Sequence, residues 1–318
     1  MIVCWDGSNP SQALVFPLRA PRVSPEETIS RRTRTTRSFV ASLFVAALAM
    51  TGCAAVEEPK TEGAEQVKEE DVTRIDTISP ASGSLLGGET ITLTGEGLSD
   101  VSSVVFGGVS ATSITAAADN QLQVIAPAAV DYAVGAVSVT ALSEDNEVIA
   151  SAANYDYQVL TGVDAQMQYA FAHWQDYNDE VWGIFPDNDC GNFVNQTLIA
   201  RGWVETEEWY SEWNTTGDFS DSWARGPAMD AYFASQTDRA TRLSLEQRGQ
   251  VKVGDVVMFD WDPAGENGVD HTMLVSKVDP ATGAISMAGH TIDAQYRDLD
   301  QAITVENPGA TAWFYSIA

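Results

Sequence analysis

Asp187-Asn188-Asp189-Cys190-Gly191-Asn192-Phe193-Val194-Asn195-Gln196 is the stretch on which the reading of this chain turns. A turn-forming Asp/Asn run opens a segment in which Phe193, Val194, Thr197, Leu198 and Ile199 form an apolar side, up to Gly202. The pattern predicts a helix over 190–201, with Asn188 or Asp189 as its N-terminal cap and Gly202 closing it. Cys190 then falls in the first turn, where unpaired backbone N–H groups and the helix dipole favour a thiolate. The Cys190 N–H is also available to a developing oxyanion. Asp187 and Asp189 act in the opposite sense, because nearby negative charge holds the proton on a thiol; a cationic histidine would offset them.

The chain has three histidines, His173, His271 and His290. His173 lies beside Trp174 on a second predicted helix, 164–182, and reads as a packing residue. His271 precedes an apolar strand, 272–278, and His290 follows another, 284–288. Asp279-Pro280-Ala281-Thr282-Gly283 joins them as a hairpin, which is expected to bring the two histidines together. Roles follow from chemistry: Cys190 attacks, His271 takes its proton and later protonates the leaving amine, and His290 orients the imidazole. One Cys and two His are also zinc ligands, but no short paired-ligand spacing is present, so no metal is assigned. Asp260, Asp262, Asn267 and Asp270 offer oxygens that suit calcium; the spacing is not an EF-hand, and the stretch is read as an acidic hairpin loop. Trp203, Trp209, Tyr210, Trp213 and Trp223 fit either core packing or the wall of a cleft for sugar or peptide.

Further strands are expected at 255–261 and 312–317, so helices followed by strands give an α+β pattern. Within 163–318 four ordered blocks resemble one family. They are the Cys190 stretch, Gly254-Asp255-Val256-Val257-Met258-Phe259-Asp260-Trp261-Asp262, Val269-Asp270-His271-Thr272-Met273, and Gly289-His290-Thr291-Ile292-Asp293. They are similar to the bacterial "Putative amidase domain", a branch of the papain-like cysteine hydrolases related to the NlpC/P60 and CHAP groups. The resemblance implies amide hydrolysis through a Cys190 thioester, with a Cys-His-polar triad and no cofactor. His290 is the expected third member and Asp293 its substitute.

Upstream, residues 74–158 alternate short β-branched runs with Gly, Pro and Ser punctuation, as in a β-sandwich. Ser79-Pro80, Gly87-Gly88, Thr94-Gly95, Val105-Phe106-Gly107-Gly108 and Ala126-Pro127, in that order, resemble an IPT/TIG domain, an immunoglobulin-like fold. The resemblance implies a spacer or binding module. The expected fold class is thus multidomain: an all-β IPT/TIG sandwich, then an α+β papain-like hydrolase.

Residues 1–52 read as an export region. Arg31, Arg32, Arg34 and Arg37 precede an apolar run, Phe39 to Met50, which is short for a membrane span. Thr51-Gly52-Cys53 resembles a bacterial lipobox, which implies lipidation at Cys53. Residues 53–73, rich in Glu and Lys, read as a disordered acidic tether. Cys4 lies ahead of this signal, so Cys190 is the thiol that remains for chemistry. A formal charge of -28 over 318 residues excludes nucleic acid as a partner. The expectation is a secreted or lipid-anchored cell-surface amidase or peptidase acting on cell-wall peptide or peptidoglycan. The alternative is an inactive surface adhesion or substrate-binding lipoprotein. A third reading transfers the acyl group to an amine instead of water.

Overall fold

The computed structural model describes residues 73–318 except 187 and 266. The export region, Cys53 and the tether up to residue 72 lie outside the described residues.

The first part is a two-sheet sandwich. Strands β1 (Arg74–Ser79), β3 (Thr90–Glu96), β7 (Gln121–Ile125) and β6 (Ser113–Ala118) form one sheet in that order. The other runs β2 (Ser82–Ser84), β9 (Val148–Gln158), β8 (Gly135–Leu142), β4 (Ser103–Phe106) and β5 (Val109–Ser110). Alternation sets the inner faces: Ile91 and Leu93 of β3, Leu122 and Val124 of β7, and Val104 and Phe106 of β4 are all buried.

The second part packs helices on one antiparallel sheet. Its helices are α1 (Gly162–His173), α2 (Asp179–Trp182), α3 (Cys190–Arg201), α4 (Asp221–Ala224), α5 (Gly226–Ser235) and α6 (Leu299–Gln301). A small hairpin, β10 (Ser211–Glu212) and β11 (Asp218–Phe219), stands apart. The sheet order is β12 (Ala240–Leu243), β17 (Thr311–Ile317), β13 (Val256–Asp260), β14 (His271–Val278), β15 (Ile285–Gly289) and β16 (Ala294–Asp298). One face, with Val256, Met258 and Leu274, joins the core built by Phe193, Val194 and Leu198 of α3. The other, with Val257, Phe259, Met273 and Val275, packs on Leu299, Ala302 and Ile303.

The expected helix over 164–182 is two pieces. It stops at His173, and a separate turn forms at Asp179–Trp182. The break has a use: the His173 carbonyl, left over at the helix end, accepts from His290 Nε2 at 2.8 Å.

The sandwich is docked on the second part through buried polar contacts. Asp164 in the first turn of α1 is fully buried and accepts from Ser84 Oγ (2.6 Å), Leu86 N (3.2 Å), Leu160 N (3.0 Å) and Thr161 N (2.8 Å). Tyr132 donates its hydroxyl to the Ser276 carbonyl at 2.6 Å and sets its ring edge-on to Phe171. Its neighbour Asp131 accepts from Tyr296 at 3.0 Å. Both Asp131 and Tyr132 hold left-handed backbone, φ 49° and 51°, a strained pair that this docking sustains. Among the described residues, no helix is long and apolar enough to cross a membrane.

Candidate active site

Cys190 is the first residue of α3 and is buried. Its Sγ donates to Asn188 Oδ1 at 3.9 Å. Asp189 is the N-cap residue, and its carbonyl accepts from Phe193 N at 2.9 Å. The expected side-chain cap does not form. The Asp189 carboxylate turns away from the helix: Oδ1 accepts from Phe185 N (2.8 Å) and Asn192 Nδ2 (2.9 Å), and Oδ2 meets His290 Nδ1 at 2.5 Å. The other end of α3 closes as expected. Gly202 is left-handed at φ 109°, its N–H bonds to Ile199 O, and Trp203 N–H reaches Leu198 O, a Schellman closure.

Residues 190–198 are all buried, so the polar side chains of α3 need partners. The tryptophans supply them. Trp223 Nε1 donates to Asn192 Oδ1 at 2.9 Å, and Trp209 Nε1 donates to Asn195 Oδ1 at 3.0 Å. Gln196 Oε1 accepts from Tyr169 at 2.8 Å. Trp209 and Trp223 are fully buried and Trp203 nearly so, which settles those three as core rather than cleft wall.

The direction of α3 decides what Cys190 meets. At the helix's far end Arg201 donates to Gly254 O (3.3 Å) and Ile317 O (2.8 Å), beside the start of β13. The Cys190 end of α3 abuts α4, where Gly191 lies against Trp223 and Ala224. Two glycines close that corner. A side chain on Gly191 would come within 3.0 Å of Trp223 O, and one on Gly226 within 2.4 Å of Val269 O.

His271 is nearly buried and its ring lies beside Phe259 and Trp261. Its Nε2 is buried with no hydrogen-bond partner. It lines a cavity of about 150 Å³ together with Trp261, Thr291, Ile292, Arg297 and Asn307. His290 is elsewhere. Its ring is stacked on Tyr177 (centroids 3.7 Å apart) and against Phe193 (4.1 Å), and its two nitrogens face the Asp189 carboxylate and the His173 carbonyl. The expected contact in which His290 orients His271 does not match these bonds. Strand parity explains why. Leu274 pairs with Ala288, and the Met273 side chain lies against Gly289. The ring contacts place the two histidines on opposite faces of the sheet: His271 with Phe259 and Trp261, His290 with Phe193 of α3. Asp293, the other candidate, accepts from the Tyr177 hydroxyl at 2.7 Å.

Asp260, Asp262 and Asp270 bring one oxygen each within 4.8 Å of one another. Asp270 accepts from Trp261 N (2.7 Å) and Asn267 Nδ2 (2.8 Å). Burial, with repulsion from its neighbours, raises the Asp270 carboxyl above its ordinary range, and burial and Asp262 do the same to Asp260. The sequence reading missed Asp189 as the partner of His290, although an acid directly before the cysteine was a signal.

Residues 161–315 match the family model "Putative amidase domain", and residues 74–159 match "IPT/TIG domain". The chain thus carries a TIG-type β-sandwich followed by a mixed α/β domain that is similar to the "Putative amidase domain" model. No curated protein matches it. Similar solved structures include an auxiliary nutrient binding protein from Bacteroides thetaiotaomicron, at 24% identity over 28% of this chain and 21% of that one, TM-score 0.22. Another is SGBP-B from a complex xyloglucan utilization locus in Bacteroides uniformis, at 20% identity over 27% and 23%, TM-score 0.22. A third is SGBP-B from the mixed-linkage glucan utilization locus of Bacteroides ovatus, in complex with a mixed-linkage heptasaccharide, at 17% identity over 28% and 22%, TM-score 0.23. This chain spans 21–23% of their lengths.

Proposed function

We propose that the protein is a cysteine-dependent amidase or peptidase of the papain-like kind, acting outside the cell on amide bonds of cell-wall peptides. Residues 31–53 support export and a lipid anchor at Cys53. One observation carries the reading: residues 161–315 match the "Putative amidase domain" model, and within them a buried cysteine stands first on a core helix. The thiolate attacks the carbonyl carbon, and the oxyanion forms beside the Cys190 N–H. The tetrahedral intermediate collapses to a thioester as the C–N bond breaks, and His271 returns the thiol proton to the leaving amine. Water, deprotonated by His271, then hydrolyses the thioester, restoring thiol and imidazole. His290, with both nitrogens engaged, holds the N-terminal turn of α3 through Asp189 and takes no proton in this scheme.

The test is digestion of purified peptidoglycan by the chain from Ala54 onward, beside Cys190→Ala, with products weighed by mass spectrometry. New fragments from the intact thiol alone support hydrolysis, and their masses identify the bond. Fragments from both proteins overturn the role of Cys190. No fragments from either, with Cys190 unlabelled by iodoacetamide, favour a binding lipoprotein instead.

A further inference from the structure

We propose that the groove between the β-sandwich and the second part binds an extended apolar peptide, whose free C-terminal carboxylate is received by Lys277. The inference does not rest on the reading of Cys190.

The groove is large enough and already formed. Its volume is about 820 Å³, within the roughly 300–1,000 Å³ of ligand sites, which favour domain junctions. Val109, Pro127 and Val130 form its sandwich wall, and Val278, Pro280 and Tyr296 form the other. Two bonds fix the walls against each other, Tyr132 to Ser276 O at 2.6 Å and Tyr296 to Asp131 at 3.0 Å. Val130 and Tyr296 are exposed, so the walls present apolar surface to water that a ligand would cover.

Charge selects one end of that ligand. Of the two lysines among the described residues, Lys252 is paired with Asp255 at 2.9 Å. Lys277 lines the groove, and no carboxylate of a described residue lies within ion-pair distance of it. Asp279 lies in the field of Lys277 but is spent on its own turn. Its Oδ1 accepts from Ala281 N, Thr282 N and Thr282 Oγ1, each at 2.9 Å. Asp131 is engaged by Tyr296. Lys277 thus offers an uncommitted ammonium beside an apolar wall, the complement of an apolar chain that ends in a carboxylate.

A fatty acid has that form too, and two features favour a peptide. The first is a strand edge. β5 ends its sheet, and its hairpin turns through Gly107 and Gly108, both left-handed. The two-residue turn makes Phe106 and Val109 a hydrogen-bonded pair, and Ala111 N–H next reaches Val104 O at 2.7 Å. Ladder alternation then turns Ser110 N–H and C=O outward, on the edge that lines the groove. An extended peptide can pair there as added strand. The second feature is hydroxyl groups. Ser110, Thr112 and Ser286 line the groove, and their hydroxyls bond to no described residue. An alkyl chain would strip their water without return, whereas peptide amides replace it.

The experiment is equilibrium dialysis of a pool of acetylated tetrapeptides built from Ala, Val, Leu and Ser, with bound members identified by mass spectrometry. The protein is the chain from Ala54 onward carrying Cys190→Ala, so that no pool member is hydrolysed. The same pool with amidated C-termini is the control, and decanoate is the competitor. The expected result is saturable binding of the free acids, about fivefold tighter than their amides, the upper range for an exposed ion pair. Lys277→Met keeps the apolar stem and should bind acids and amides alike. Val130→Glu, at an exposed position, should weaken both pools by about tenfold, since a charge would be covered unpaired. Equal binding of acids and amides before Lys277 is changed, or a preference that survives Lys277→Met, overturns the role of Lys277. Binding untouched by Val130→Glu overturns the site. Decanoate that outcompetes every peptide assigns the groove to acyl chains and overturns the peptide. No binding from either pool overturns the proposal as a whole.

Discussion

Asp189→Ala should be the most damaging polar substitution near Cys190, and the structure gives the size of the loss. The side chain is buried and accepts three bonds, from Phe185 N–H, Asn192 Nδ2 and His290 Nδ1. Alanine strands all three donors, one of them on a buried histidine ring whose other nitrogen is already committed to the His173 carbonyl. Each buried donor left unpaired costs about 1–3 kcal/mol, so three together should cost about 3–5 kcal/mol. At roughly 2–4 °C per kcal/mol for a chain of this size, the melting temperature should fall by about 10 °C. Asp189→Asn is the milder probe. Its oxygen keeps the Phe185 and Asn192 bonds, while an amide nitrogen replaces the carboxylate oxygen that faces His290 Nδ1. That exchanges a charge-assisted bond for a neutral one, a loss of about 1–2 kcal/mol.

Urea unfolding at pH 7, followed by tryptophan fluorescence, suits the question, because Trp209 and Trp223 are bonded directly to α3. Asp189→Ala within about 1 kcal/mol of wild type would refute the account of this network, since that is the size of an ordinary surface change. The partner substitution separates two roles for His290. As a clamp, His290→Gln lowers the unfolding midpoint and the Cys190 alkylation rate together. As a triad member it would lower turnover and leave the midpoint where it was.

Two further outcomes follow from particular contacts. Tyr132→Phe removes the bond to Ser276 O and keeps the ring on Phe171, so it should cost about 1 kcal/mol. Tyr132→Ala also removes the ring and should cost about 3–5 kcal/mol, read as earlier melting of the docked sandwich by calorimetry. The Asp260–Asp262–Asp270 loop gives a pH dependence. Asp260 and Asp270 have folded pKa values raised by burial and by their like-charged neighbours, with Asp262 acting on both. Groups raised in this way favour the folded state fully below the unfolded value, about 4, and lose that contribution as pH rises through the folded value. Asp262→Asn removes part of the repulsion. Its melting temperature should match wild type near pH 3.5 and exceed it by about 1 °C at pH 7, a few tenths of a kcal/mol. A lower value at pH 7 would mean that the Asp262 charge is needed there.

Much of this architecture was legible because it rests on local pattern. The α3 helix, its Gly202 end and the β13, β14, β15 and β17 strands follow apolar spacing and turn chemistry that a sequence carries openly. The length of the first helix was misjudged, since Trp174, Tyr177 and Val181 keep the helical period past His173. What ends that helix is tertiary: the His173 carbonyl is taken by His290, 117 residues away. Strand β16 was missed because Ala294-Gln295-Tyr296-Arg297-Asp298 has little apolar alternation, and it pairs on one side only, with β15.

The histidines show where reading by proximity fails and counting would have served. A hairpin does bring two strand ends together, but side chains on paired strands share a face only when the register matches them. His271 shares parity with Met273 and Val275 and lies with Phe259 and Trp261 on the face away from α3. His290, in the turn after β15, packs on Phe193, on the side where α3 lies. There it meets Asp189, the acid beside the nucleophile. The residue expected to steer the base instead engages the carboxylate that would otherwise oppose the thiolate. A chain that used His290 for both tasks would need it on two faces at once, which the pleat forbids.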